Sequence, residues 1–353
     1  MQTTQTNLTD FLAAALKEMP QAEALSTVLS TIAHSVKTIA ALTTKGALID
    51  ITGKLASQNV QGETQMTLDV LSNDIFIADL KQCGVVAGLA SEEMDMPIDV
   101  TAGGQFLVVF DPLDGSSNVP VNVSIGSIFS VLNAPKTPIS DADYLQTGNK
   151  QVAAGYALYG YCTMLVFTVG KGTHGFTLDA ESGEFYLTHP SMQVPEQTAE
   201  FAINASNERF WDEPTLRYVE GCLAGESGPR GKDFNMRWVA SMVADVHRIL
   251  IRGGVYLYPK DSKQPAREGR LRLMYEVNPM SMLIEQAGGK STTGRQRLLE
   301  VKPNHIHQRV PVMIGSRQEV ELIARYYQDF DSGVVQKNHS PLFGERSLFH
   351  KKQ

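Results

Sequence analysis

An apolar run, Phe106-Leu107-Val108-Val109-Phe110, passes without a spacer into Asp111-Pro112-Leu113-Asp114-Gly115-Ser116-Ser117-Asn118. The run reads as a strand, and two carboxylates stand where it ends. Asp111 and Asp114, three apart across a Pro-containing turn, can converge on a hard cation such as Mg²⁺, which takes oxygen ligands and keeps some water for a substrate. Gly115, Ser116 and Ser117 carry little side-chain bulk. Their backbone N–H groups and two hydroxyls can close around a phosphate. The residues Asp-Pro-Leu-Asp-Gly would also serve an ordinary turn. The metal reading draws on the Gly-Ser-Ser-Asn that follows and on acidic residues elsewhere: Asp69 and Asp74, the pair Glu92-Glu93, and Glu276.

The chain has 353 residues, enough for two core-bearing halves, and 42% hydrophobic with 20% charged residues is ordinary globular composition. No stretch approaches the roughly 18 to 20 uninterrupted apolar residues of a membrane span, and the first residues lack the basic and apolar regions of a signal peptide. A cytoplasmic protein without membrane partners is the expectation. A net charge of −7 argues against general nucleic-acid binding, which needs a basic face, but leaves anionic small molecules open where a cation and nearby Arg or Lys gather. Cys83, Cys162 and Cys222 form no C-x-x-C and read as reduced, buried packing residues.

Residues 10–42 have helical spacing, with Leu25, Val28, Leu29, Ile32 and Val36 on one face and an interruption near Met19-Pro20. Leu68 to Lys81 reads as a helix ending before Gly84; Asp69 and Asn73 share a face, and Leu68, Leu71 and Ile75 supply the buried stripe. Asp69 would equally suit a helix N-terminus as a dipole carboxylate. Residues 106–133 and 151–187 read as strands of an antiparallel or mixed sheet. A polar junction at Val194–Thr198 divides 1–195 from 196–337, and 338–353 reads as a flexible tail. Beyond the junction the expectation is a helix over Trp238–Ile251, strands over Val255–Tyr258 and Leu271–Glu276, a helix opened by an Asn278 cap with Pro279 in its first turn, and a late strand Val312–Ser316 before a terminal helix. Arg270 and Arg272, two apart in a strand, would point to one face; Tyr256 and Tyr258 repeat the spacing, which packing alone would also explain. The fold class is α/β, with a mixed α+β N-terminal half.

Taken in order, Asn59 to Glu63, Leu68 to Asp74, Ser91-Glu92-Glu93, Phe110 to Asn118, Val152 to Gly160, Ser241 to Arg248 and Gly288-Gly289 make the chain resemble the class I fructose-1,6-bisphosphatases, within the Mg²⁺-dependent, Li⁺-sensitive sugar and inositol phosphatases. The resemblance implies a layered αβαβα sandwich and hydrolysis of fructose 1,6-bisphosphate in gluconeogenesis or a carbon-fixation cycle. It also implies Mg²⁺, with Mn²⁺ as a substitute, and a homotetramer. It assigns metal ligation to Glu92, Asp111, Asp114, Glu276, the Leu113 carbonyl and Glu63. Asp69 and Glu93 are the implied pair of bases. Substrate contacts fall to Asp114, Gly115, Ser116, Ser117, Asn204, Tyr256, Tyr258, Arg270 and Arg272, with Arg237 reaching a neighbouring subunit's site.

Three positions depart from the family pattern: Arg270 for a usual Lys, Trp238 for a common Tyr, and Asn207 where Tyr is frequent. Sedoheptulose 1,7-bisphosphate remains an alternative substrate. A sugar-phosphate-binding regulator without catalysis would lack a ligand or base, and none is missing. At the places that hold AMP in inhibited members the chain reads Ala22-Glu23-Ala24-Leu25, Gln105-Phe106 and Asn133, without a cation, which implies weak or absent AMP inhibition and N-terminal helices devoted to subunit contacts.

Overall fold

The computed structural model describes residues 6–49, 53–58, 64–136 and 138–334. Glu63 and the 338–353 tail lie outside the described residues. The helical pattern of residues 10–42 resolves into α1 (Leu8–Leu16), whose N-cap Asn7 accepts the Asp10 N–H at 2.8 Å, and α2 (Ala22–Thr43). Between them Pro20 and the left-handed Gln21 (φ 58°) stop one helix and start the next. Helix α2 is long and apolar enough to cross a membrane by length and composition. Its apolar face, Leu25, Val28, Leu29, Ile32, Val36 and Ile39, is instead spent in the core, leaving Glu23 exposed in its first turn.

The third helix, α3 (Thr67–Gln82), turns a different face inward from the one expected. Leu68 is buried, but Asp69, Ser72, Asn73, Phe76 and Leu80 form the inner stripe while Leu71 and Ile75 are only partly covered. Phe76, stacked on Phe110 at 5.2 Å, sets this rotation and carries Asp69 toward the end of the Phe106 strand.

An eight-stranded mixed sheet runs in the order Phe185–Met192, Thr173–Leu178, Thr163–Thr168, Ala153–Tyr159, Ile125–Asn133, Phe106–Asp114, Val86–Ser91, Ile98–Asp99. Only Val86–Ser91 and Phe106–Asp114 pair in parallel. Period two sorts the apolar residues: Phe106, Val108, Phe110, Phe129 and Val131 meet α1 to α3, whereas Leu107, Val109, Ile128 and Leu132 meet the opposite side. There lie α5 (Met242–Arg252) and α6 (Asn278–Gln286), following α4 (Glu213–Leu223) in the chain. A second sheet packs behind them, ordered Asn235–Met236, Glu200–Ala202, Val255–Tyr258, Val312–Gly315, Lys290–Thr292. Its far face is covered by α4 and α7 (Arg317–Asp331) through Tyr218, Cys222, Val320, Ile323 and Tyr327. The result is the expected αβαβα layering.

Several local expectations are corrected. Helix α5 begins at Met242, not Trp238, because Ser241 is its N-cap and Ala240 sits at φ 64°. The expected strand Leu271–Glu276 lasts only through Arg272; Leu273–Val277 forms a π-helical turn that runs into α6, and all five of its residues are buried, so the alternation ends there. Asn278 is accordingly helical and not a cap. At the polar junction Pro195, Glu196 and Gln197 are exposed, while Val194 and Thr198 are buried and the Val194 N–H donates to Ala287 O, just past α6. Of the cysteines only Cys222 is buried; Cys83 and Cys162 are half-exposed.

The sheet and α5 pack tightly at Gly126, opposite Asp114 in the strand register. A Cβ there would lie 2.3 Å from Ala157 O and 2.6 Å from Val243 Cγ1. Gly126→Ala is expected to destabilise by ~1–3 kcal/mol, the range for overpacking a filled interior. Urea unfolding checks this, and an unshifted midpoint would mean that α5 moves aside freely.

Candidate active site

The Phe106–Asp114 strand bulges between Asp111 and Asp114, so both side chains reach one cleft although three residues separate them. The bulge is pinned: Asp111 accepts the Leu113 N–H at 2.9 Å, and Ser127 Oγ donates to Pro112 O at 2.7 Å. Glu92 follows the parallel neighbour strand, its N–H donating to Phe110 O, and Glu276 projects from the π-helical turn. Ligand oxygens of Asp111, Asp114 and Glu276 lie within 4.8 Å of one another. Glu92 pairs with Arg272 at 2.5 Å, and the same Arg272 meets Glu276 through its guanidinium and its backbone N–H. The cleft sits at the carboxyl ends of the two parallel strands, a usual place for ligands in open sheets.

All four carboxylates are buried with one guanidinium among them. Desolvation, then the charges of Glu92, Glu276 and Asp114, push Asp111 well above the usual carboxylate range. Burial raises Asp114 as well, although Ser241 Oγ at 2.6 Å and the Val243 N–H at 2.9 Å, both at the N-terminus of α5, favour its charged form. Burial carries Glu276 to about 8 against partial relief from Arg272. Clustered oxygen donors with a surplus of unbalanced negative charge fit a hard divalent cation. The Leu113 carbonyl belongs to the same pinned bulge, and Leu113 lines the cleft.

Asp69 and Glu93 line the same cleft of about 460 Å³. Asp69 accepts the Met66 N–H at 2.6 Å, so it caps α3 as well as facing the site. Ser91 Oγ donates to Asn73 at 2.7 Å and accepts the Glu93 N–H at 3.2 Å, which ties α3 to the Glu92-Glu93 turn. Gly115 is left-handed (φ 80°) and passes beneath Ser241, where a Cβ would come within 2.7 Å of Ser241 Cβ. It turns the chain so that Gly115, Ser116 and Ser117 line the cleft beside Asp114.

The remaining wall holds Asn204, Trp238, Tyr256, Tyr258, Leu271 and Arg272. Trp238 stacks on Tyr256 at 5.6 Å and 3°, and Tyr256 is buried, so it packs, while Tyr258 is half-buried in the same wall. Arg270 and Arg237 do not line this cleft: Arg270 pairs with Asp261 at 2.8 Å, and Arg237 is exposed. Arg270 and Arg272 therefore serve different partners, and Arg270 lies just before the strand Leu271–Arg272 and not in it. Sequence reasoning missed Ser241 as the holder of Asp114; a serine three residues before Ala244, at a helix start, was the available signal.

The raised Glu276 couples stability to pH. Its folded value of about 8 exceeds the ordinary 4.5, so its contribution is full below the unfolded value and is lost as pH rises through 8. Chelator-treated protein should melt at lower temperature as pH rises from about 7 to about 8.5, and Glu276→Gln should flatten that slope. A flat wild-type profile would count against a buried protonated cluster.

Family models described as the fructose-1-6-bisphosphatase N-terminal and C-terminal domains match residues 6–190 and 194–328. The class 1 fructose-1,6-bisphosphatase of Hydrogenophilus thermoluteolus is 53% identical over 349 residues, covering 97% of this chain and 96% of that one. The enzyme of the same name from Methylobacillus flagellatus is 55% identical over 326 residues, 92% of this chain and 98% of its own. Among solved structures, Leishmania major fructose-1,6-bisphosphatase in its holo form superposes with a TM-score of 0.86 at 39% identity, covering 92% of this chain and 99% of that chain. Sequence and architecture agree over nearly the whole length, and the chain belongs to the class 1 fructose-1,6-bisphosphatase family.

Proposed function

We propose that this protein hydrolyses fructose 1,6-bisphosphate to fructose 6-phosphate and inorganic phosphate with Mg²⁺, for which Mn²⁺ can substitute. The observation that carries the reading is the set of four buried carboxylates, Glu92, Asp111, Asp114 and Glu276, around a single guanidinium and beside the Gly115–Ser117 loop. Those four side chains and the Leu113 carbonyl would hold the metal, with Glu63 as a further ligand. When bound, the cation screens the phosphate dianion and the developing negative charge of the leaving group.

The chain's own residues do the rest. Backbone N–H groups and hydroxyls of Gly115, Ser116 and Ser117 hold the scissile phosphate. The Asp69–Glu93 pair takes one proton of the attacking water as its oxygen forms a bond to phosphorus; the bond from phosphorus to the sugar C1 oxygen breaks, that oxygen takes a proton from solvent water, and the pair returns its proton to solvent. Arg272 offsets charge between carboxylates and sugar, while Asn204, Tyr258 and Arg270 receive the sugar and its second phosphate. Tyr256 supports Tyr258 through the Trp238 stack. We read residues 1–195 as an N-terminal domain with the helices and the metal-site sheet and 196–337 as a C-terminal α/β substrate domain that adds Glu276, in a cytoplasmic homotetramer where the exposed Arg237 reaches a neighbouring chain's cleft.

The test is phosphate release from fructose 1,6-bisphosphate, with sedoheptulose 1,7-bisphosphate and inositol monophosphate for comparison, each with Mg²⁺ and with chelator. Asp69→Asn and Glu93→Gln should each lower kcat by roughly 10²-fold, the scale of lost general-base work, with the fold kept. Glu276→Gln should also raise the Mg²⁺ needed for half-activity. Normal turnover by the first two variants would remove them from proton transfer, and an unchanged Mg²⁺ titration would remove Glu276 from ligation.

A further inference from the structure

Arg270 stands at the end of the segment 259–270, which leaves the second sheet at Tyr258 and leads into the short strand Leu271–Arg272 paired with Arg309–Val310. Its guanidinium is not loose. The Nε–H donates to Asp261 Oδ2 at 3.1 Å, Nη2 donates to Oδ2 at 2.8 Å and to Oδ1 at 3.2 Å, and Nη1 donates to Gln264 Oε1 at 3.2 Å. The side-on fork of the guanidinium, Nε with Nη2, is therefore filled by one carboxylate. These four bonds engage all three nitrogens, and of the five N–H bonds that a guanidinium carries in a fixed plane one on Nη1 remains for an oxyanion. Asp261 is itself tied to its surroundings. It is buried, its Oδ1 accepts the Lys263 and Gln264 N–H groups, and its backbone bridges Trp211. Arg309 grips the Arg270 carbonyl from the other side.

The charge of Arg270 reaches the cleft. It is the first opposing influence on Tyr258 after burial, and Asp261 acts on the same ring with the contrary sign. A lysine at position 270 would have a rotatable ammonium and would need no such holder. We propose that Asp261 is the positioning residue of Arg270: it holds the guanidinium by Nε and Nη2 so that Nη1 presents to the non-reacting phosphate of the sugar. This rests on the reading of Arg270 as that phosphate's contact.

The experiment measures product inhibition by fructose 6-phosphate, which carries only the remote phosphate, beside KM and kcat for fructose 1,6-bisphosphate and kcat/KM for fructose 1-phosphate, which carries only the scissile one. Asp261→Asn keeps an oxygen for the Lys263 and Gln264 amides but cannot fill the charged fork, so it separates loop support from guanidinium support. The expected result is about a tenfold weaker fructose 6-phosphate inhibition constant and a KM raised to match, as for loss of one charge-assisted hydrogen bond, with kcat and the fructose 1-phosphate value within about twofold. In an Arg270→Lys background the same substitution should change little. Weakened inhibition in Arg270→Ala with none in Asp261→Asn would overturn the positioning role and leave the phosphate contact standing. Tighter inhibition in Asp261→Asn would overturn it as well, because Asp261 would then screen Arg270. An equal loss on fructose 1-phosphate would reduce Asp261 to loop support. Unchanged inhibition in Arg270→Ala would overturn the phosphate contact and, with it, this inference.

Discussion

Asp114 joins the two halves of the site. Its carboxylate accepts from Ser241 Oγ and the Val243 N–H at the start of α5 while its neighbours Asp111 and Glu276 press negative charge against it from the sheet and the π-helical turn. A helix N-terminus favours the charged form, and burial opposes it. The balance leaves a cluster that resists ionisation unless something positive arrives. Arg272 alone does not offset four buried acids.

The layers exist to bring these groups together. The strand Phe106–Asp114 is buried along its whole length, so its end is delivered at a set height between α3 on one side and α5 on the other. The parallel partner Val86–Ser91 ends at the same level, which places Glu92 beside Asp111. The π-helical turn before α6 widens the coil by one residue and aims Glu276 back into the cluster, a placement that a strand continuing past Arg272 would not give. Alternation on the strand then divides labour: Phe110 stacks on Phe76 and sets α3, and Asp111 faces the chemistry.

How much of this the chain disclosed varied with the kind of signal. Asp111 and Asp114 were conspicuous because carboxylates directly after an unbroken apolar run have no reason to be there as core residues. The α2 stripe and the break at Pro20 followed from helical spacing and from a residue that lacks an N–H. Glu276, Asp69 and Glu93 were reached by resemblance, since no period marks them. The Arg-Leu-Arg-Leu alternation suggested a longer strand than exists because a π-helical turn has no sequence signature at that length. Ser241 was hidden by reading the helix from Trp238, and Asp261 by its loop: contacts between residues nine apart across a turn depend on backbone shape that composition does not encode.

The raised carboxyls of Asp111, Asp114 and Glu276 should give up protons when a divalent cation binds among them. Calorimetric titration of Mg²⁺ into the chelator-treated protein at about pH 7, repeated in buffers of different ionisation enthalpy, counts the protons released on binding. With Glu276 at about 8, the expected result is a net release that shrinks as the pH is raised above that value and falls in Glu276→Gln. Binding with no proton release at neutral pH, or with release unaltered in Glu276→Gln, would contradict it.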